Sequence, residues 1–421
     1  MINAQWLKVT ILSILCLIGI WAGSVWLNRL NQAVNPLAQI APAQAAGGYV
    51  VLAWNDLGMH CYNRDFKDLA VLPPFNTLWA QVIKAGDPPY IITSGITVTY
   101  VFTDNTYSVG KSNFWDYDVP LFGVNLPPNI GLKGKGLAGQ MDLSGDHFIA
   151  EGIPLTEFRD SAPTTAYPYQ LAIVIVQDAA TGAELARTIT VAPLSTEMHC
   201  DTCHHDYGQE GIATGSVERN ILVLHDQEAG THLDSSRPVL CASCHASNAL
   251  GTTGSPGVPN LSKAMHAKHA EEGLPSTLAG CYNCHPGPKT QCLRDVMSQK
   301  GMTCSNCHST LQTVSQNPAP WLNEPRCDNS GCHGSSYQQD QALYRNSKGH
   351  GAIYCAGCHD SPHAIAQSRE PNDAIKFIGW QGHPGTLATC TVCHATQPSE
   401  GGPHTFVVRA RIYLPVILRQ H

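Results

Sequence analysis

Along residues 96–103, Ile96, Val98, Tyr100 and Phe102 alternate with Thr97, Thr99 and Thr103, interrupted only by Val101. That period of two predicts a half-buried strand. Tyr169 to Val176 and Leu185 to Val191 flank the turn segment QDAATG and predict a hairpin. The apolar run Tyr49 to Trp54 (YVVLAW) is a further candidate strand. Short strands joined by Pro- and Gly-rich connections favour a β-sandwich of immunoglobulin-like type over residues 48–195.

Beyond residue 195 the pattern changes. Two short helices stand out. Ser216 can cap a helix running to about Ala229 and closed by Gly230, with His225 one turn after Ile221. Asn260 can cap LSKAMHAKHAEE, closed by Gly273, which puts His266 and His269 three apart on one face. The rest reads as loop, too poor in periodic apolar segments to bury a core of its own. The expected architecture is therefore an N-terminal β-sandwich-like domain and a loop-rich, partly α domain over 196–405 whose core is filled by something else. Residues 406–421 form a C-terminal tail with an apolar run (RARIYLPVILRQH) too short to span a membrane.

Val9 to Leu27 runs without a charge, between Lys8 and Arg29. Its length suits a membrane anchor, and the rival reading is a cleaved signal peptide with Ala43-Gln44-Ala45 as the processing site. Either way residues 1–47 are leader and linker, and the remaining chain is expected outside the cytoplasm. Cys16 sits mid-stretch among bulky residues and does not read as a lipid-attachment site.

Composition sharpens this picture. The chain of 421 residues has a net charge of -7, which gives no reason to expect nucleic-acid binding, and carries 17 Cys and 20 His. Six times it reads Cys-x-x-Cys-His: Cys200-Cys203-His204, Cys241-Cys244-His245, Cys281-Cys284-His285, Cys304-Cys307-His308, Cys355-Cys358-His359 and Cys390-Cys393-His394. Two thiols three apart can form thioethers with both vinyl groups of a haem, and the next residue then presents an imidazole to the iron. Zinc or disulfide bonding explains Cys-x-x-Cys pairs but not the trailing His. With His at 20 of 421 positions, six matches out of six by chance has odds of roughly one in a hundred million. A seventh site, Cys327-Asp-Asn-Ser-Gly-Cys332-His333, keeps the Cys-His ending with four residues between the thiols. Its alternative is a disulfide with His333 incidental. Seven covalent haems are expected, six at minimum, with His204, His245, His285, His308, His333, His359 and His394 as proximal ligands.

Thirteen His lie outside these motifs, a pool large enough for distal ligands. His266 and His269 can serve two neighbouring haems. His350 and His363 bracket the Cys355 motif, His225 lies between the first two motifs, and His404 follows the last. His199 precedes Cys200 and can reach an adjacent haem. His60, in WNDLGMHCYN, is the outlier: the β-rich domain can donate it as a distal ligand, or it is a buried structural His. A copper site from Met59, His60 and Cys61 is disfavoured because adjacent residues converge poorly. His205, His232 and His383 are weaker candidates, and His147 and His421 carry no specific expectation. Cys61 and Cys292 are left either free or paired.

The run of motifs resembles the multihaem c-type cytochromes of metal-reducing and related bacteria. More narrowly, it resembles a group whose N-terminal β-domain carries WNDLGMHC, here Trp54 to Cys61. STEMHCDTCH (195–204), MHAKHA (265–270) and GCHDSPHAI (357–365) are similar to the same group, and the likeness covers about residues 48–405. It implies bis-histidine haems of low potential and respiratory or extracellular electron transfer to a redox partner protein or an external acceptor. Two alternatives stay open: a multihaem reductase with one open-coordination haem, and a cytochrome subunit that polymerises into filaments. An electron carrier is favoured over the enzyme because the chain has no Cys-x-x-Cys-Lys motif and has surplus His.

Overall fold

The computed structural model describes residues 48–208 and 211–399 and His404. The expected anchor at 9–27, the Ala43 processing site, Cys16, and the tail at 406–421 with His421 lie outside the described residues. No helix among the described residues is long and apolar enough to cross a membrane.

The N-terminal region is strand-rich. Five strands form one sheet in the order β1 (Tyr49–Asn55), β4 (Asn76–Lys84), β9 (His147–Ile153), β8 (Asp142–Ser144), with β5 (Tyr90–Ile92) also pairing with β4. A second sheet runs β2 (His60–Cys61), β13 (Glu184–Ser195), β12 (Tyr169–Asp178), β6 (Ile96–Phe102), β7 (Ala138–Gln140). Short pairs join β10 (Phe158–Arg159) to β11 (Ala162–Ala166) and β3 (Leu69–Ala70) to β14 (Val239–Leu240). The alternation along 96–102 does what its period demands: Val98, Tyr100 and Phe102 are buried. With Ala172, Val174 and Val176 of β12 they meet Val51, Ala53, Leu78, Ala80 and Val82 of the first sheet in one shared core. The predicted hairpin is β12–β13, antiparallel from Tyr169↔Pro193 to Gln177↔Glu184.

β1 is buried on both sides, which explains its unbroken apolar run. Val51 and Ala53 face the core between the sheets. Val50, Leu52 and Trp54 face Tyr344, Tyr354 and Ala356 of the C-terminal part. Trp54 lies 5.7 Å from the Tyr354 ring and 6.4 Å from Trp79.

After Ser195 the chain is helical and loop-rich. Both anticipated helices form, over Val217–Ala229 and Leu261–Glu271. Ser216 Oγ accepts the Arg219 N–H at 3.4 Å, and Gly230 closes that helix in the left-handed region with φ 65°. Asn260 Oδ1 accepts the Lys263 N–H at 2.8 Å.

The segment Asn55–Cys61 is clamped between distant parts of the chain. Ser361 Oγ donates to Asn55 O at 2.6 Å, and Arg294 Nη1 donates to Gly58 O at 2.8 Å. Gly58 has φ +77°, and a Cβ there would lie 1.7 Å from Pro362 O, so no other residue fits without moving the backbone. The buried pairs Arg294–Asp373 (2.7 Å) and Lys376–Asp360 (2.6 Å) sit behind it.

Candidate functional site

Each Cys-x-x-Cys-His motif is a single helical turn. The backbone N–H of His204, His245, His285 and His394 donates to the carbonyl of the first cysteine of its motif at 2.9–3.0 Å. Cys304–His308 and Cys355–His359 are short α-helices. One turn puts both thiols and the imidazole on the same side of the backbone. The Cys327 motif closes in the same sense despite its two extra residues, with His333 N–H donating to Cys327 O at 3.2 Å.

Six of the seven motif histidines face a second histidine. His204 lies 6.3 Å from His269, His245 6.2 Å from His225, and His285 6.2 Å from His266, measured between ring centroids. His308 lies 6.0 Å from His363, His394 5.9 Å from His350, and His359 5.7 Å from His404. The Nε2 atoms of His359 and His404 approach to 3.5 Å. An imidazole nitrogen sits about 2 Å from a metal ion it ligates, so two rings holding one ion from opposite sides have centroids about 6 Å apart. The six pairs have that spacing. Among the described residues no group of three or more His, Cys, Asp or Glu converges as a metal site, and each arrangement is a pair of imidazoles.

Hydrogen bonds aim these rings. His266 Nδ1 donates to Ser262 O and His269 Nδ1 to Met265 O, both at 2.7 Å. His245 Nδ1 donates to Pro259 O at 2.9 Å, and His394 Nδ1 to the Asp87 carboxylate at 3.3 Å. The Thr231 hydroxyl spends its proton on Asp226 at 2.7 Å and so accepts from His225 Nδ1 at 3.0 Å. A carbonyl or carboxylate can only accept, so in each ring the proton is on Nδ1 and the Nε2 lone pair is available to a metal. Loss of solvent pushes the His285 pKa down to about 4, with the neighbouring His266 and His308 adding to it. Burial likewise pushes His359 down to about 4 and His363 to about 3. Such rings stay neutral at pH 7, the form that ligates.

The motifs succeed one another in space. Cys200 lies near Cys284, Cys281 near Cys304, and Cys307 near Cys332. Cys355 neighbours Cys327, and Cys358 neighbours Cys393. The Cys241 motif joins this row through the helix 217–229, which supplies His225 and whose Glu228 meets Lys268 of the helix 261–271 at 2.5 Å. The helix 261–271 serves two motifs at once, His266 facing His285 and His269 facing His204.

Two expected distal residues are not brought against a motif histidine. His60 is buried and places Nε2 2.9 Å from Asp56 Oδ1, its ring stacked on Phe75. His199 donates from Nε2 to Gly287 O at 2.9 Å. In both, the nitrogen a haem would use is engaged. His147 stacks on Trp79 at 4.2 Å within the first sheet. Tyr337, which carried no sequence signal, lies against His333. The accepting carbonyls at Pro259, Ser262 and Met265 were also unreadable, because a backbone acceptor has no residue signature. Comparison with protein families, with curated proteins and with solved structures finds no match to this chain.

Proposed function

We propose that this chain is a multihaem c-type cytochrome that moves electrons outside the cytoplasm. The observation that carries the reading is the set of six imidazole pairs, each containing the histidine of a Cys-x-x-Cys-His motif. The donor chemistry fits haem: two thiols for the vinyl groups, a proximal imidazole one residue on, and a second imidazole at the spacing of an axial partner. Haem held at these six pairs would supply one-electron storage.

The chain's own residues do the rest. The motif turns would fix attachment, and the Nδ1 hydrogen bonds of His225, His245, His266, His269 and His394 hold those rings in the ligating tautomer. The order in space, from the Cys241 motif through Cys200, Cys281, Cys304, Cys327 and Cys355 to Cys390, makes a row along which bound haems would pass an electron between neighbours. Haem also accounts for a C-terminal part with so little apolar core of its own. A donor and an acceptor belong at the ends of such a row: a redox protein, an external mineral, or another copy of the chain. Residues 9–27, if retained, would tether it to a membrane.

Intact mass of protein exported from a host with cytochrome c maturation tests this. Seven added haems are expected, with a low-spin ferric EPR spectrum for the imidazole pairs. Protein bearing no covalent haem under those conditions would sink the reading.

A further inference from the structure

His333 differs from the other six motif histidines in what faces it. Against it lies the phenol ring of Tyr337, at 5.3 Å, and Tyr337 packs equally against His404, the partner of His359. Among the described residues no histidine ring is placed against His333. The surrounding loop is nonetheless built. Arg326 grips the Asp328 carboxylate at 2.9 and 2.7 Å and donates to Gln339 O at 2.6 Å, while Asp328 accepts the Gln339 N–H at 3.1 Å. With the His333-to-Cys327 backbone bond, these hold both thiols and the imidazole in the arrangement of an attachment turn. Cys327, Cys332 and His333 are all exposed, so solvent and solutes reach them.

We propose that the centre at Cys327, Cys332 and His333 is a ligand-binding site: its axial position opposite His333 takes a small external molecule, of the class of neutral diatomic π-acceptors. This rests on the cytochrome reading above. Among the described residues six motif histidines face a second imidazole, whereas His333 faces the Tyr337 phenol, a ring that would line the ligand's place rather than fill it as an imidazole does; that place lies mid-row, between the Cys304 and Cys355 motifs. The chain then combines a conduit with one chemically responsive position.

Carbon monoxide is the probe. Dithionite-reduced holoprotein with seven haems by mass is expected to bind one CO per chain, with a Soret change matching one haem in seven. Cys327→Ser with Cys332→Ser is expected to lose one haem by mass and the whole CO response, leaving the other six spectra unchanged. Seven haems with no CO binding, or a CO response that survives in the variant, overturns the site. Six haems in the unaltered protein also overturns it but leaves the electron-carrier reading standing, whereas no haem at all defeats that reading itself. If the double variant does not accumulate, EPR of the oxidised unaltered protein decides: a high-spin ferric signal equal to one haem supports the site, and wholly low-spin iron overturns it.

Discussion

Arg294→Met isolates the force that holds the Asn55–Cys61 loop against the C-terminal part. Arg294 is 2% exposed and Asp373 4%. The guanidinium donates through Nε to Asp373 Oδ2 at 2.7 Å and through Nη2 to Oδ1 at 3.2 Å. Nη1 reaches Gly58 O at 2.8 Å and Cys292 O at 3.4 Å, and the cation lies 5.0 Å from the centre of the Tyr169 ring. Methionine keeps the aliphatic volume but leaves Asp373 buried without its cation, and the nearby Lys376 is already committed to Asp360. Removing one member of a buried pair costs about 3–5 kcal/mol. With a urea slope of about 3 kcal/mol/M, a loss near 4 kcal/mol moves the midpoint down by about 1.3 M. Far-UV circular dichroism of the holoprotein in urea reads it. Asp373→Asn in the same background should restore at least about 2 kcal/mol, because the stranded charge and not the lost contact dominates. A single-variant loss below about 1 kcal/mol, or strictly additive effects, would refute the reasoning.

Three further outcomes follow from named groups. His269→Ala should convert one low-spin centre to high-spin in EPR while haem number by mass is unchanged; an unaltered spectrum would remove His269 from the axial set. Glu157 is buried, and that burial raises its pKa above 4.5 against the lowering by Thr196. A carboxyl raised in the folded state favours folding below its unfolded pKa, and that contribution is lost as pH rises through the folded value. Glu157→Gln should therefore gain stability relative to the parent as pH climbs above 4.5, and a difference that is flat with pH in urea titrations would contradict this. Burial lifts the Cys61 thiol to about 12 and Cys292 to about 11. Against the ordinary value of 9.0, the thiolate fraction of Cys61 at pH 8 drops about a thousandfold. Iodoacetamide should label neither cysteine until the protein is denatured, and rapid native labelling read by peptide mass would oppose the prediction.

Much of the fold was legible because its signals are local. Strand β6 shows its buried face in three alternating residues, and the helices at 217–229 and 261–271 carry Ser216 and Asn260 at their starts. The role of β1 was not legible. Its run of apolar residues marks burial, but only the tertiary arrangement puts Val51 and Ala53 on one core and Leu52 and Trp54 on another. Strand β13 ends at Ser195, and beyond this division the chain is helical and loop-rich. The clamp on Gly58 crosses that division through residues more than two hundred positions away.

The candidate site divides along the same line. The proposed covalent attachment is read from the spacing of Cys and His, because thioether formation would need only one turn of backbone. Choosing the opposite ligand is a problem in three dimensions. His60 and His266 look equally available as residues, yet His60 commits Nε2 to Asp56 while His266 commits Nδ1 to Ser262 O. One nitrogen's hydrogen bond decides whether the other can bind iron, and the acceptor that decides it is a backbone carbonyl as often as a side chain. That rule separates His225, His266 and His269 from His199 and His60. The Cys327 centre differs in another way, since the ring placed against His333 there is the Tyr337 phenol.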